Sequence, residues 1–316
     1  MNTPTSLYKF RSLTGENKEY VSEMFEDHVV WFSKREDFND PFESFPYFKA
    51  IAPQKDIDAF IEDKGWDKIK IEGMLEESLK AQLRKNPNIK IPFCAVKEWM
   101  NAMMEQGKPA LTDYFKKFMT MDGTFHRELA INTLLNAMNQ EIGMLCLTEK
   151  RDNLLMWAHY TSNHTGFVIQ FDTQNSFFDQ RNKPNEIRGH LKKVRYTKKR
   201  PELTLMDPNI SKEQTIDRWV NDIFFVKSEH WEYEQEWRMA LTLRDCQRVI
   251  QKDGYKIHLF PFPKDCVETV ILGCKISKDK KDSVMRIVKQ DRSYSHVEII
   301  QAKIDDKEYQ LNFMQI

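Results

Sequence analysis

The chain has 316 residues, in which 48 Lys and Arg balance 48 Asp and Glu, and 41% of the residues are hydrophobic. This composition is typical of a globular protein with one large core or two smaller ones. A formal net charge of zero gives no overall signal for a dedicated nucleic-acid or membrane binder, although a local basic patch is compatible with it. The 10 glycines are widely spaced, which excludes the glycine-rich phosphate loops of Rossmann dehydrogenases and P-loop NTPases.

The cysteine pattern and the hydropathy indicate a compartment. Five cysteines, none in a Cys-x-x-Cys pair, are typical of reduced thiols in a cytoplasmic protein. The N-terminal residues lack a signal-peptide pattern, and no apolar run approaches the ~20 residues that span a bilayer. We therefore expect a cytoplasmic protein that does not interact with membranes.

The first fifty residues predict a β-α-β unit followed by a loop. Residues 7–11 alternate apolar and polar side chains as a strand does, residues 15–27 carry apolar residues at helical spacing, and residues 29–32 predict a second strand. The aromatic loop at residues 35–48 contains Asn-Asp-Pro-Phe. That sequence is typical of an Asx-turn, and the alternative is a rigid loop that presents Asn39, Asp40 and Glu43 to a ligand.

Between residues 51 and 140 the hydrophobic pattern becomes helical. Apolar residues recur every three or four positions, with breaks at Pro87, Pro92 and Pro109. The methionines of this stretch fit core filling better than a binding face. We therefore predict a helical insertion at residues 51–140 within a core domain formed by residues 1–50 and 141–316.

The remainder of the chain mixes strands and helices at uneven spacing. The strands are predicted at residues 143–147, 167–171, 193–196, 235–243, 255–259, 267–272 and 296–301. The helices are predicted near residues 152–160, with Asp152 as the cap, and at residues 212–225 and 282–290. This order favours an α+β fold with a mixed or antiparallel β-sheet core.

The first helix of this half carries the sequence Met156-Trp157-Ala158-His159-Tyr160. Trp157 and Tyr160 are three positions apart and share a helix face, so they either enclose an aromatic ligand or seal the sheet. Core packing is the default interpretation for Trp157, whereas Tyr160 at the helix end is better placed to reach a cleft. His159 has no cysteine or carboxylate at ligand spacing, which argues against a metal site.

The densest cluster of charged and aromatic residues lies between residues 227 and 239. In a strand that starts at residue 233, Glu234, Glu236 and Arg238 point one way and Trp237 the other. This row is either a salt-bridged solvent face or a partly buried pair of functional carboxylates. In the second case, crowding raises the pKa of one carboxyl while Arg238 keeps another ionised.

Five motifs, in this order along the chain, resemble those of a large bacterial and prophage family catalogued as a domain of unknown function: Leu7-Tyr8-Lys9-Phe10-Arg11, Phe38-Asn39-Asp40-Pro41-Phe42, Met156-Trp157-Ala158-His159-Tyr160 with Gly166, Trp231-x-Tyr233-Glu234-x-Glu236-Trp237-Arg238, and Val270-Ile271-Leu272-Gly273. The motifs run from residue 7 to residue 273. This resemblance indicates kinship and implies no particular chemistry.

A more distant similarity, at the level of pattern, is to ADP-ribosyltransferases. That superfamily places a His or Arg on the first strand, a Tyr or Ser before a later strand, and a Glu, often in Glu-x-Glu, on a strand near the end. Here Lys9 or Arg11, Tyr160 and Glu236 follow the same order. The resemblance implies an ADP-ribosyltransferase-like core, NAD as substrate without a metal, and a macromolecular acceptor in a toxin or phage-defence setting, with room for an antitoxin or other partner.

Cleavage of the bond between nicotinamide and ribose builds positive charge on the sugar, which a carboxylate stabilises most in the transition state. Glu236 would provide that charge, Glu234 would orient or deprotonate the acceptor, and Tyr160 would stack on nicotinamide. The expected contacts to NAD come from six further residues: Tyr8, Lys9, Arg11, Asn39, Asp40 and Trp157.

Two other classes of function are compatible with the same residues. A metal-dependent nuclease or hydrolase would hold Mg²⁺ through Asp40, Glu43, Glu234 and Glu236. A non-catalytic sensor or partner-binding protein would use the aromatic motifs as core and the helical insertion as its interface.

Overall fold

The computed structural model describes residues 3–13, 24–62, 117, 119–120, 124–182, 186–205, 207, 209–252 and 255–316. The chain divides into two compact units. Unit 1 consists of Met1–Phe45, Leu135–Pro201 and Val220–Ile316, and unit 2 of Pro46–Leu134 and Glu202–Trp219. Unit 2 overlaps the insertion predicted at residues 51–140 and takes in a second segment that no sequence pattern indicated.

The strands of the described residues, in chain order, are β1 (Ser6–Arg11), β2 (Val29–Phe32), β3 (Tyr47–Ala50), β4 (Ile142–Thr148), β5 (Phe167–Asp172), β6 (Leu191–Lys193), β7 (Arg195–Thr197), β8 (Glu202–Thr204), β9 (Val226–Ser228), β10 (Glu236–Thr242), β11 (Arg248–Lys252), β12 (Tyr255–Pro261), β13 (Val267–Leu272), β14 (Glu298–Ile304) and β15 (Leu311–Gln315). The α-helices are α1 (Gln54–Glu62), α2 (Thr124–Glu141), α3 (Leu154–Tyr160), α4 (Lys212–Phe224) and α5 (Lys278–Gln290).

Unit 1 is built on an eight-stranded mixed sheet with the strand order β15-β14-β13-β5-β1-β4-β10-β6. β13 and β14 are parallel, whereas the other neighbouring strands are antiparallel. A second sheet of unit 1 has the order β11-β12-β2. The predicted α+β class with a mixed sheet is therefore confirmed.

Side-chain alternation in the central strands divides the core of unit 1 between two hydrophobic clusters. Phe10, Val168 and Ile271 form one row across three strands and pack with Trp157 of α3. The preceding residue of β13, Val270, belongs to the larger cluster, to which α5 also contributes. The sheet is therefore covered by α3 on one side and by α5 on the other.

The ladder between β1 and β4 is interrupted. These strands are joined only at Tyr8 and Thr148, whereas β1 and β5 pair along six residues. Further along β4, Met144 pairs instead with Ser33, through backbone hydrogen bonds of 2.8 and 2.9 Å. β1 and β4 thus separate after one residue pair and leave a gap near the centre of the sheet.

Several predicted boundaries differ from the structure. The helix α3 is capped by the side chain of Asn153, which accepts hydrogen bonds from the first turn, and not by Asp152. The strand predicted at residues 193–196 is two strands, β6 and β7, separated at Val194. Residues 24–26 are helical, while the rest of the helix predicted at residues 15–27 lies largely outside the described residues.

The strand predicted from residue 233 begins only at Glu236. Residues Glu229–Glu234 form a 3-10 helix that Gln235 ends with a left-handed backbone, φ 43° and ψ 55°. A left-handed residue cannot continue a strand, so the expected spacing of Glu234 and Glu236 along one extended strand was wrong. The two carboxylates nevertheless face one cavity, as described below.

Unit 2 contains a short parallel pair of strands, β3 and β8, and the whole of α1. Ile57 of α1 is fully buried with Ala50 and Ala52, and Met119 packs against this cluster. The helices predicted between residues 63 and 116 lie outside the described residues, as do the methionines of that range. Among the helices described in both units, none has the length and apolarity that crossing a membrane requires.

Candidate functional site

A cavity of about 380 Å³ lies in unit 1 where β1 and β4 separate. Its volume is in the range of small-molecule binding sites. The lining residues that the sequence analysis had singled out are Tyr8, Lys9, Arg11, Asn39, Glu43, His159, Tyr160, Glu234 and Glu236. The structure therefore brings together residues from the first strand, the aromatic loop, the end of α3 and the start of β10.

Arg238 is completely buried behind the cavity and organises the charges around it. Its Nε and Nη2 atoms donate hydrogen bonds of 2.8 and 2.7 Å to the two carboxylate oxygens of Glu236. Nη2 also donates to Glu43, and Nη1 donates to the carbonyl oxygen of Phe224 at 2.8 Å. The guanidinium lies 5.1 Å from the ring centre of Phe38. A bidentate pair of this kind fixes the position of the Glu236 carboxylate.

Lys227 is the second buried cation. Its ammonium donates a 2.5 Å hydrogen bond to Oε2 of Glu234 and lies 3.3 Å from Glu43 and 3.4 Å from Glu236. It also lies 4.9 Å from the ring centre of Trp231. We call Glu43, Lys227, Glu234, Glu236 and Arg238 the buried ion cluster. Three carboxylates face two cations, and all five residues are buried, so this row is not a salt-bridged solvent face.

The carboxylates of Glu234 and Glu236 differ in their electrostatic environment. Burial alone raises the pKa of Glu236, but Arg238 and Lys227 outweigh it and hold that pKa well below its usual range. For Glu234, burial is the largest cause and the pKa is raised, although Lys227 acts in the opposite direction. The cluster therefore holds one carboxylate whose ionised form is stabilised beside one whose charged form is disfavoured, as expected for the partly buried alternative.

Tyr160 connects α3 to this pair. Its hydroxyl donates a 2.6 Å hydrogen bond to Oε1 of Glu234 and accepts one of 3.4 Å from Nδ2 of Asn39. Burial, followed by the charge of Glu234, raises the pKa of Tyr160 well above its usual value. Tyr160 therefore remains a neutral hydrogen-bond donor whose ring forms part of the cavity wall.

Lys9 lies in the gap of the sheet. Its ammonium donates a 2.8 Å hydrogen bond to the carbonyl oxygen of Cys146, beyond the last residue pair of β1 and β4. Burial and, next, the charge of Arg11 lower the pKa of Lys9 to about 8. Within the described part of the chain, Lys9 has no carboxylate at ion-pair distance. It is thus a poorly compensated cation in the cavity wall.

Two of the predicted ligand contacts lie elsewhere. Trp157 is completely buried in the cluster with Phe10, and its ring stacks on His164 at 6.2 Å and 8°. Asp40 does not line the cavity: it is buried, and its Oδ1 accepts a 2.9 Å hydrogen bond from the backbone N–H of Phe42. The expected direct contacts of Trp157 and Asp40 with a ligand are corrected accordingly: Trp157 is core, and Asp40 shapes the turn.

Sequence reasoning missed Lys227 and Tyr196. The hydroxyl of Tyr196 accepts a 2.8 Å hydrogen bond from the backbone N–H of Glu236, which anchors the start of β10. Lys227 directly follows the apolar run of residues 223–226, and a lysine in such a position was a usable signal of a buried, paired cation. For Tyr196 the sequence contained no comparable signal.

The carboxylates of this site are occupied by cations, and its thiol is buried. The carboxylates of the buried ion cluster are already bound by Arg238 and Lys227, whose positive charges oppose a metal cation. Among the described residues there is no group of three His, Cys, Asp or Glu side chains that could hold a metal ion. Burial raises the pKa of Cys146, so its thiol stays protonated and weakly nucleophilic.

A family model described as "Protein of unknown function (DUF2971)" matches residues 156–239. The match begins within α3 and ends within β10, and so includes Tyr160, Lys227, Glu234 and Glu236. No curated protein and no solved structure matches the chain. The comparisons thus relate this stretch of the site to a domain-of-unknown-function family.

Proposed function

We propose that unit 1 is an ADP-ribosyltransferase-like enzyme that cleaves the bond between nicotinamide and ribose in NAD and transfers ADP-ribose to a macromolecule. The observation that carries this proposal is the convergence of Lys9, Tyr160 and the pair Glu234 and Glu236 on one cavity. The resemblance to a prophage family adds a setting, a toxin or phage-defence effector.

Glu236 has the properties of the charge-stabilising group. Its carboxylate is held by two hydrogen bonds from Arg238, and its pKa lies well below the usual range, so it is ionised at neutral pH. A fixed negative charge stabilises the positive charge that develops on the ribose and does so without reorganisation. Arg238 and Lys227 fix the position of this carboxylate. Because they also neutralise part of its charge, they weaken the stabilisation that it gives to the positive charge on the ribose.

Glu234 has the properties of the proton acceptor. Its pKa is raised by burial, so the carboxylate gains more from taking a proton than an exposed glutamate does. The hydrogen bonds from Tyr160 and Lys227 hold it in place. In the proposed reaction, Glu234 accepts the proton that the acceptor group loses as it attacks the ribose.

Lys9 supports an anionic substrate. A buried ammonium without a carboxylate partner is unfavourable unless an anion approaches it or its proton is lost. The diphosphate of NAD would provide that anion, with Arg11 nearby in the same wall. Tyr8, Asn39 and Tyr160 would contact the ribose and nicotinamide.

Two alternatives remain as outcomes of a test. The carboxylate-metal hydrolase is disfavoured by the cations that already occupy the carboxylates. A non-catalytic sensor would bind a ligand in the same cavity without turnover. The buried pairing of Glu234 with Tyr160 favours chemistry, because a raised carboxyl pKa next to a cavity is a common feature of catalytic sites.

The deciding measurement is nicotinamide release from NAD by the purified chain, alone and with nucleic acid or cell extract. The proposal expects release that survives EDTA and is lost in Glu236→Gln. A thermal shift with NAD but no release supports the sensor. A shift with Mg²⁺ or Mn²⁺ alone, together with hydrolysis that EDTA abolishes, supports the hydrolase.

A further inference from the structure

The chain is neutral overall, but one segment of unit 1 is strongly basic. Residues 188–200 contain seven Lys and Arg and no Asp or Glu. Within it, Lys193 pairs with Glu149 at 2.7 Å and Arg195 pairs with Asp222 at 2.8 Å. The last three residues, Lys198, Lys199 and Arg200, are exposed and have no carboxylate partner in the described ranges. We call these three residues the basic rim.

Two contacts place the basic rim near the cavity. Before the rim, in the middle of the basic segment, the backbone N–H of Val194 donates a 2.8 Å hydrogen bond to the carbonyl oxygen of Glu236, and the hydroxyl of Tyr196 accepts one from the N–H of Glu236. Within the rim, the guanidinium of Arg200 lies 5.5 Å from the ring centre of Phe45, which comes two residues after the cavity-lining Glu43.

Aromatic side chains accompany the rim. The ring of Phe45 is half-buried, and two guanidinium groups lie near its centre, Arg35 at 5.4 Å and Arg200 at 5.5 Å. Phe42, in the same loop, is 63% exposed, which is unusual for a phenylalanine. Cations next to an exposed aromatic ring are the combination that binds single-stranded nucleic acid, through phosphate contacts and base stacking.

We infer that the basic rim, with Phe42 and Phe45, binds a single strand of nucleic acid and presents it to the cavity as the acceptor. That the bound strand is the acceptor rests on the proposed function, whereas the binding of the strand does not. An acidic protein would satisfy the cations without using the rings. The exposed carboxylates Glu229 and Glu232, on the 3-10 helix next to β7, would repel the phosphates where they lie.

The test measures binding of a fluorescein-labelled 20-nucleotide strand, as DNA and as RNA, by anisotropy at several salt concentrations without NAD. The rim variant carries Lys198→Gln, Lys199→Gln and Arg200→Gln. A matched control carries Lys278→Gln, Arg286→Gln and Lys289→Gln, three exposed residues of α5, and has the same net charge. We expect the rim variant to bind roughly tenfold to a hundredfold more weakly and its salt slope to fall by about two, while the control binds as the wild type does.

Equal weakening in both variants, or no binding by the wild type at 0.1 M salt, would overturn the inference. Tighter binding of the duplex than of the single strand would overturn the single-strand assignment, and equal competition by polyglutamate would indicate an acidic protein partner. Photocrosslinking of a halogenated strand to the wild type, mapped to Phe42 or Phe45, covers the case in which the rim variant misfolds. If the strand binds but NAD releases no nicotinamide, the proposed enzyme is refuted and the nucleic-acid-binding surface stands. If nicotinamide is released but no strand binds, the binding surface is refuted and the proposed enzyme stands.

Discussion

The hydroxyl of Tyr160, at the end of α3, donates a hydrogen bond of 2.6 Å to Oε1 of Glu234, which lies just before β10. The other oxygen of Glu234 accepts from Lys227 at 2.5 Å. The carboxylate is therefore held from both sides by donors, and both favour its ionised form against the opposing effect of burial.

Removing the Tyr160 hydroxyl should shift the pH dependence of activity. In Tyr160→Phe, Glu234 loses a donor to its charged form, so its pKa rises further and the acidic limb of the nicotinamide-release profile moves to higher pH. A kcat/KM profile across pH 5 to about 9 measures this. Tyr233→Phe removes a hydroxyl two residues from Gln235 and should leave the limb in place. An unmoved limb in Tyr160→Phe would mean that Glu234 is not the titrating base.

Charge removal at Glu236 should separate catalysis from core packing. Glu236→Gln should lower activity by roughly two to four orders of magnitude, which corresponds to about 3 to 5 kcal/mol of activation free energy. Trp237→Ala should instead lower the free energy of unfolding by about 3 to 5 kcal/mol, since the Trp237 side chain is buried in the larger cluster. The bidentate hydrogen bonds between Glu236 and Arg238 predict that Glu236→Gln also destabilises the fold, so activity must be normalised to folded protein by circular dichroism. Full activity in folded Glu236→Gln would contradict the assignment.

Arg238→Met should be among the most destabilising substitutions in unit 1. It leaves Glu43 and Glu236 as buried carboxylates with one cation fewer, which costs about 3 to 5 kcal/mol in urea unfolding at pH 7. The loss should shrink as the pH falls, because the variant lacks the guanidinium that lowers the pKa of Glu236, and protonation of that carboxyl then removes a poorly compensated buried charge. Arg244→Met, which removes an exposed ion pair with Glu141, should cost less than about 1 kcal/mol. Equal losses in the two variants would show that the buried ion cluster adds no stability.

Lys9 should make ligand affinity depend on pH. Its pKa of about 8 means that the ammonium is charged below that value and neutral above it. Binding of ADP-ribose, an anion, should therefore weaken as the pH rises through 8, and calorimetry from pH 6.5 to about 9.5 would show the step. Lys9→Arg keeps the charge and should lack the step, while Lys9→Met should bind weakly throughout. An identical step in Lys9→Met would assign the titration to another group.

The left-handed conformation of Gln235 predicts a stabilising substitution. Any side chain with a Cβ pays about 1 to 2 kcal/mol for φ near 43°, which glycine avoids. Gln235→Gly should raise the free energy of unfolding by up to about 1 kcal/mol, whereas Gln235→Ala should give no gain. A loss of stability in Gln235→Gly would mean that the side chain contributes more than the strain costs.

Local patterns anticipated some of the residues that line the cavity, but not Lys227. Lys9 and Glu236 occupy strands whose alternation is readable from the sequence, and Tyr160 lies where a helix gives way to a polar turn. The role of Trp157 could not be read in this way, because the packing face of a seven-residue helix depends on the strands beneath it. The end of the 3-10 helix at Gln235 was equally hidden, since glutamine carries no preference for left-handed backbone.

The position of β1 has a consequence for the way in which the site forms during synthesis. Lys9 and the carbonyl that it contacts are 137 residues apart, and the neighbours of β1 in the sheet are β4 and β5. At about 5 to 20 residues per second, a ribosome needs roughly 7 to 27 seconds to make the partner of a strand that it has already released. Glu234 and Glu236 are made later still. The nascent chain therefore carries an unpaired central strand and no assembled site, so an activity harmful to the host would stay off until most of unit 1 has been translated.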